Sequence, residues 1–477
     1  MSDYEIVIGL EIHAELKTQT KVFCSCRNSF GAEPNTNICP VCIGLPGTLP
    51  VINKKAVELA IKAGLCFGCD INDIAVFERK NYFYPDLCKA YQISQLQKPI
   101  CLNGSITLDS GKVIRLNRIH LEEDAGKLIH VNAKIGTLID YNRGGVPLIE
   151  TVTEPDINSA EEAVEFLTKL RSNLTFGDIA DCRMEQGGMR CDVNLSVHKK
   201  GTPYGTRTEM KNLNSFKMVY RAIKYESERQ IEVLENGGKI TQETRKWDDN
   251  KGKSFTMRSK EESQDYRYFP DPDILPITIS RGVVEHLKGE IPKLAKQRQQ
   301  EYVESLGLPE YDAKILTQER SVSDYFETCL KLYGNAKIVS NWIMTDVLRK
   351  LKETDESQDI NSVISPEHLV TIIKLVEDKD ITRVNAKELF EQVCFTDKEP
   401  KQLAKQLGYL VTMTEQELKD IIYKVFEQNM QAVPDYKKEP EKVLNFFIGQ
   451  TMRMTKGTAK VDIARPIIQE KLEKLNS

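Results

Sequence analysis

The position at which the glycines thin out constrains this chain more than any single motif. Of 27 glycines in 477 residues, 22 precede residue 293 and 5 follow it, and 10 of the 12 cysteines lie on the same early side. Glycine-rich turns between short apolar runs suit a sheet with functional loops. Three segments of the early part read as helices, near 54–65, 159–173 and 215–235, the last closed by Gly237 and Gly238. Strand-like runs cover 4–16, 112–120 and 191–198. The two kinds of segment do not alternate strictly, which predicts an α+β fold with a mainly antiparallel sheet.

The later part reads as successive helices. Ser321-Val-Ser-Asp324 and Thr414-Glu-Gln-Glu417 resemble helix N-caps, the latter a capping box, and Ser365-Pro366 puts a cap residue before a first-turn proline. Apolar residues recur at helical spacing at Ile338, Trp342, Val347 and Leu348, and at Leu418, Ile421, Ile422 and Phe426. The expected divisions are 1–292, 293–407 and 408–477.

Residues 4–12 alternate cleanly. Tyr4, Ile6, Ile8, Leu10 and Ile12 share one face, while Glu11 and His13 share the other beside Gly9. A carboxylate and an imidazole converging on one spot suit a divalent metal; a solvated edge face is the alternative. His120-Leu-Glu-Glu-Asp-Ala-Gly126 crowds three acids that need a cation or water to coexist. On an extended segment Glu122 and Glu123 face opposite ways, and periodicity does not choose between them. Glu150 ends an apolar run.

Cys24-Ser-Cys26 and Cys39-Pro-Val-Cys42 have the spacing of a tetrahedral zinc site on two knuckles. With four thiolates such a site has no open position, so its role is structural; free cysteines and an iron–sulfur cluster are the other readings. Cys66 and Cys69 end an apolar helix and read as core. Twelve cysteines in so long a chain fit a reduced compartment better than a disulfide scaffold.

Lys+Arg total 66 against Asp+Glu 70, a net charge of -4, which excludes a surface that coats nucleic acid everywhere and leaves room for a local basic patch. One is visible: Lys442, Arg453, Lys456 and Lys460 are the only charged residues from 442 to 460, with backbone amides near Gly457. No apolar run approaches the roughly 20 residues of a membrane span, and no targeting leader is visible, so a cytoplasmic protein without membrane partners is expected. Phosphate-loop, dinucleotide-loop, protein-kinase and nucleophile-elbow motifs are missing.

Longer motifs carry a resemblance. Gly9-Leu-Glu-Ile-His13, Arg79-Lys-Asn-Tyr-Phe-Tyr-Pro-Asp86, Lys89-Ala-Tyr-Gln-Ile-Ser-Gln95, Leu121-Glu-Glu-Asp-Ala-Gly-Lys127, Arg190-Cys-Asp-Val-Asn194, Lys211-Asn-Leu-Asn-Ser215 and Asp265-Tyr-Arg-Tyr-Phe-Pro-Asp-Pro-Asp273 resemble the B subunits of glutamyl/aspartyl-tRNA amidotransferases. The resemblance implies a cradle domain around an antiparallel sheet, a helical domain and a small helical tail that contacts tRNA. It implies a glutamine-hydrolysing, ATP- and Mg²⁺-dependent ligase. In that family the B subunit phosphorylates the side-chain carboxylate of misacylated Glu-tRNA(Gln) or Asp-tRNA(Asn), and an amidase A subunit supplies ammonia. A small C subunit completes the heterotrimer. By motif, the Mg²⁺ group is expected at Glu11, His13, Glu123 and Glu150, the family deciding for Glu123 over Glu122. ATP and acyl contacts are expected at Lys80, Asn81, Asn194, Lys211 and Asn214, and tRNA contacts at the tail cations. A tRNA-binding adaptor with a purely structural acidic cluster is the competing reading.

Overall fold

The alternation of the first segment becomes one long strand, β1 (Tyr4–Glu15), in the computed structural model, which describes residues 3–132, 136–259, 265–353, 359–410, 415–455, 457 and 459–476. Ile8, Leu10, Ile12 and Ala14 are buried in the core, while Gly9, Glu11, His13 and Glu15 lie half-buried on the opposite face. Next come β2 (Asp70–Ile71), β3 (Ile74–Ala75), β4 (Glu78–Asn81), β5 (Tyr91–Ser94), β6 (Cys101–Leu102), β7 (Ser105–Thr107), β8 (Val113–Glu123), β9 (Lys127–Asn132) and β10 (Gly136–Asp140). They are followed by β11 (Pro147–Thr153), β12 (Met189–Lys199), β13 (Thr208–Lys211), β14 (Glu243–Asp248), β15 (Lys253–Ser259), β16 (Phe269–Pro270) and β17 (Ile277–Thr278).

Ten of these form one sheet in the order β15-β14-β13-β12-β1-β11-β8-β6-β2, with β7 added on β8. Its neighbours pair antiparallel except β13 and β14, which run parallel. The expected antiparallel α+β architecture is therefore observed. Helices α1 (Lys54–Cys66), α2 (Ala160–Phe176) and α3 (Phe216–Glu235) share one core with the apolar face of β1. Asn53, Ser159 and Ser215 cap them by accepting first-turn amide hydrogens. A helix-covered face leaves the other face of the sheet open for polar chemistry. A smaller sheet, β16-β4-β5, stands beside it.

The chain divides into two units, Met1–Ala295 and Lys296–Ser477. The second is helical and holds two separate apolar clusters, one drawn from residues 302–404 and one from 418–472. Ser365 caps the helix Pro366–Glu377 as expected, with proline in its first turn. The cap expected at Ser321–Asp324 is not used. The helix Arg320–Tyr333 starts ahead of it with Glu319 at the cap position, which places Ser321 and Ser323 inside the helix, Ser323 buried and bonded to Arg298 and Tyr302. Thr414 lies outside the described residues, and the helix Glu415–Gln428 follows it. Among the described residues no helix is long and apolar enough to cross a membrane.

Candidate active site and metal sites

Strand register assembles the polar face. His13 on β1 lies opposite Glu150 on β11 and Arg190 on β12, Glu11 lies opposite Asp192, and Glu150 lies opposite His120 on β8. Directly opposed residues of antiparallel strands share a face, and His120 and Glu122, two apart on β8, share it too. The result is one cluster. His13 Nε2 is 3.1 Å from Glu122 Oε1 and 3.5 Å from Glu150 Oε2. His120 Nε2 is 3.3 Å from Glu150 Oε2 and 3.8 Å from Glu122 Oε2.

Glu123, the acid expected in this group, is not there. Its parity turns it away from His13 and Glu150, and its carboxylate accepts from Lys89 Nζ at 2.6 Å and from the Ile93 amide at 3.0 Å. Glu122 holds the expected place. The signal that could have found it was His120, two residues earlier, which marks that parity as the polar one.

A second acidic group adjoins the first. Glu11, Asp192 and Glu209 each offer an oxygen within 4.8 Å of the others. Lys211 Nζ donates to Asp192 at 2.7 Å and Glu209 at 2.9 Å, and Asn194 Nδ2 donates to Glu11 at 3.0 Å. Asp192 and Glu209 did not stand out in the sequence, although Asp192 and Asn194 sit two apart in the Arg190–Asn194 motif. Both groups open into one cavity of about 370 Å³, whose lining also includes Lys80, Lys211, Tyr266 and Tyr268.

The charges explain one another. Burial opposes a charge on His13, but hydrogen bonds to Glu122 and Glu150 push it up to about 10. Burial likewise works against the Glu122 and Glu150 charges, and the two histidines nevertheless hold both carboxyls well below their usual range. Burial, followed by the charges of Glu150 and Glu209, raises Glu11. Burial also disfavours the Lys80 ammonium, and Glu122, Tyr268 and Glu150 together keep it above its ordinary value. The two carboxyls and the two imidazoles thus favour each other's charged forms, and His13, Glu122 and Glu150 form a group that could hold a metal ion. The acids around Glu11 retain excess negative charge suited to a second cation.

Other expected residues fall elsewhere. Asn81 is not in the cavity lining; its side chain donates to the Arg79, Tyr266 and Arg267 carbonyls and so fixes a loop. Asn214 is exposed ahead of α3 and is brought to neither acidic group. Cys24, Cys26, Cys39 and Cys42 do converge, with sulfurs within 4.8 Å of one another, the spacing a tetrahedral tetrathiolate site needs. The Cys39 amide donates to Cys42 Sγ at 3.2 Å, and the buried Lys21 ammonium lies 3.6 Å from it. A hydrogen bond from Cys24, helped by Cys39 and Lys21 and opposed by burial, holds the Cys42 thiol well below the thiol range.

In the tail, Lys442 and Arg453 lie on the helix Pro440–Met454, Lys442 paired with Glu439 at 2.8 Å and Arg453 exposed. Lys460 stands just before the helix Val461–Asn476, and Lys456 lies outside the described residues. The Gly457 amide expected to face a phosphate already donates to the Met452 carbonyl at 2.8 Å.

Comparison with known proteins fits this geometry. Residues 6–285 match the family described as GatB/GatE catalytic domain, and residues 324–472 the family described as GatB domain. The aspartyl/glutamyl-tRNA(Asn/Gln) amidotransferase B subunit of Caldicellulosiruptor bescii is 49% identical over 479 residues, covering 99% of this chain and 100% of that protein. The protein of the same name from Caldanaerobacter subterraneus is 49% identical over 476 residues, and that from Clostridium botulinum 46% over 478, with the same coverage. Matched in both units and along nearly its whole length, the chain belongs to the family of aspartyl/glutamyl-tRNA(Asn/Gln) amidotransferase B subunits.

Proposed function

We propose that this chain uses ATP to phosphorylate the side-chain carboxylate of glutamate misacylated on tRNA(Gln), or aspartate on tRNA(Asn), and that ammonia then converts the product to the amide. A carboxylate resists ammonia because oxide or hydroxide must leave. In the first step a carboxylate oxygen attacks the γ-phosphorus and ADP departs. In the second, ammonia adds to the carbonyl carbon, phosphate leaves, and a proton is lost. A partner amidase A subunit releases the ammonia from glutamine, and a small C subunit completes the heterotrimer. Residues 1–292 would carry the chemistry, 293–407 a helical scaffold and 408–477 a tRNA contact.

The observation that carries this reading is the pair of adjoining acidic groups on one sheet face, opening into one cavity with lysines at both. Phosphoryl transfer needs little covalent help and much charge neutralisation. Glu122, Glu150, Glu11, Asp192 and Glu209 supply the oxygens that Mg²⁺ prefers, with His13 a hydrogen-bonding partner or an uncommon nitrogen ligand. Bound Mg²⁺ would neutralise charge on the transferring phosphoryl group. Lys211 and Lys80 present cations toward the same space, and Asn194 orients Glu11.

The test uses the assembled heterotrimer, misacylated tRNA and γ-labelled ATP. Glu122→Gln and Glu150→Gln are expected to lower ADP formation by at least about 100-fold, the scale of losing one preorganised electrostatic contact. Glutaminase activity of the amidase should survive. If the unmodified complex forms no ADP, or Glu122→Gln leaves its rate unchanged, the kinase reading fails and the adaptor reading takes its place.

A further inference from the structure

One end of the cavity is aromatic, and the chemistry above does not use it. Tyr82 and Tyr266 stand edge to face with ring centroids 5.9 Å apart, and Tyr266 and Tyr268 do the same at 6.1 Å. The Lys80 ammonium lies 5.0 Å from the Tyr266 centroid and 6.0 Å from that of Tyr82. Tyr266 and Tyr268 line the cavity, and all three rings are half-buried rather than members of the buried core. From Tyr82 the chain continues into Phe83 and Tyr84, 81% and 59% exposed. Exposed aromatic surface that continues from a cavity rim marks a candidate ligand surface, and each ring face is a stacking surface for a base.

The ladder is held in place. The Asn81 amide donates to the Tyr266 carbonyl at 2.9 Å and its side chain to the Tyr266 and Arg267 carbonyls. Arg267, at φ 45°, is a non-glycine residue in the left-handed region, and its conformation sets the step between Tyr266 and Tyr268. Pairing of β16 with β4 puts Phe269 opposite Arg79, whose guanidinium is clamped by Asp271 and Asp273 at 2.8 Å each and lies 4.3 Å from the Tyr91 centroid.

The sheet order gives the cavity two chemically different ends. β12 and β13 bring Asp192, Glu209 and Lys211 to one side of β1, suited to a cation-bound triphosphate. β11 and β8 bring Glu150 and Glu122 to the other, and Glu150, Lys80, Tyr266 and Tyr268 line the same cavity. A substrate whose reacting carboxylate hangs from a terminal nucleotide must bring that nucleotide's base close to Glu122 and Glu150. The base needs a flat partner, and its strand needs a path out past exposed rings and cations.

We propose that Tyr82, Tyr266 and Tyr268 form the stacking subsite for the unpaired 3′-terminal nucleotide of the aminoacylated tRNA, with Phe83 and Tyr84 continuing the platform outward. The inference rests on the proposed function for its substrate class. The experiment titrates the full heterotrimer with tRNA carrying 2-aminopurine as its 3′-terminal base, a readout that needs no turnover. Binding should quench the fluorescence. Tyr266→Leu and Tyr268→Leu should abolish the quenching and raise KM for tRNA about 5- to 100-fold, the range of one lost base–aromatic stack. Tyr266→Phe and Tyr268→Phe, which keep the ring, should behave as the parent, and KM for ATP should not move. Binding without quenching in the parent complex overturns the proposal without reliance on any variant. So do leucine variants that retain full quenching, or a KM change that falls on ATP and not on tRNA. A parent complex that quenches but forms no ADP keeps the subsite and rejects the kinase.

Discussion

Lys21 is fully buried with its ammonium 3.6 Å from the Cys42 sulfur, and a buried cation requires a compensating anion. A zinc tetrathiolate at the four cysteines would supply one, because four thiolates outweigh the metal's charge. Metal analysis of the full chain is expected to find about one zinc per chain, lost when Cys39 and Cys42 become serine. Lys21→Met should weaken zinc retention against a chelator by about 10- to 100-fold, the usual effect of removing a hydrogen-bonding partner of a ligand. A folded chain free of zinc, or release unchanged by Lys21→Met, would refute the assignment. The quartet was legible because its spacing is local. Glu122 was not, because Glu122 and Glu123 differ only in strand parity. That parity is set by the pairing of His120 with Glu150, residues 30 positions apart in the chain. Asp192 and Glu209 were hidden for a similar reason: register between β12 and β13 joins them to Glu11, and no short motif spans all three.

At the scale of elements, β1 and α1 to α3 could be read from periodicity and caps, since those signals belong to the segment itself. The cap read at Ser321 failed because the helix starts at Arg320, with Glu319 at the cap position. How α3 holds the site strand β13 was also invisible in the sequence. Glu226 on α3 is fully buried and accepts from Arg229 at 2.6 Å, from Thr208 on β13 at 2.9 Å and from Gln230 at 2.9 Å. Arg245 on β14 lies 3.5 Å from its other oxygen. Burial opposes the Glu226 charge, yet Arg229, Gln230 and Thr208 hold its carboxyl below the ordinary glutamate range. A carboxyl depressed in the folded state contributes stability that is complete above its unfolded pKa and is lost as pH falls through the folded one. Glu226→Gln strands buried arginine charge and should cost about 3 kcal/mol at neutral pH, the low end for a broken buried pair because Arg229 reaches solvent. Thermal melts of parent and variant should converge as pH drops below the ordinary glutamate range. A gap that stays constant with pH would show that the carboxylate charge is not what holds α3 to β13 and β14.

Across the whole molecule, a net charge of -4 means that tRNA affinity has to come from local cationic patches. On the proposed reading the cavity of the first unit would take the acceptor end, and the tail would add Arg453 and Lys460. Lys442 and Arg453 are eleven residues apart on one helix, roughly three turns and about 16 Å along the same face. Lys442 is paired with Glu439, so on the proposed reading Arg453 would be the stronger contact. Two weak contacts on one ligand multiply through effective concentration, so weakening one should alter binding and leave the chemistry intact. Arg453→Glu combined with Lys460→Glu in the full heterotrimer is expected to raise KM for tRNA while preserving kcat at saturating tRNA. The slope of log affinity against log salt should flatten by about 0.7–0.9 for each phosphate contact removed. Tyr266→Leu should also raise KM but leave the salt slope unchanged, because stacking releases no counterions. If the tail variant keeps both its affinity and its salt slope, the tail cations are ordinary helix surface, and the acceptor-end cavity must supply the tRNA affinity without them.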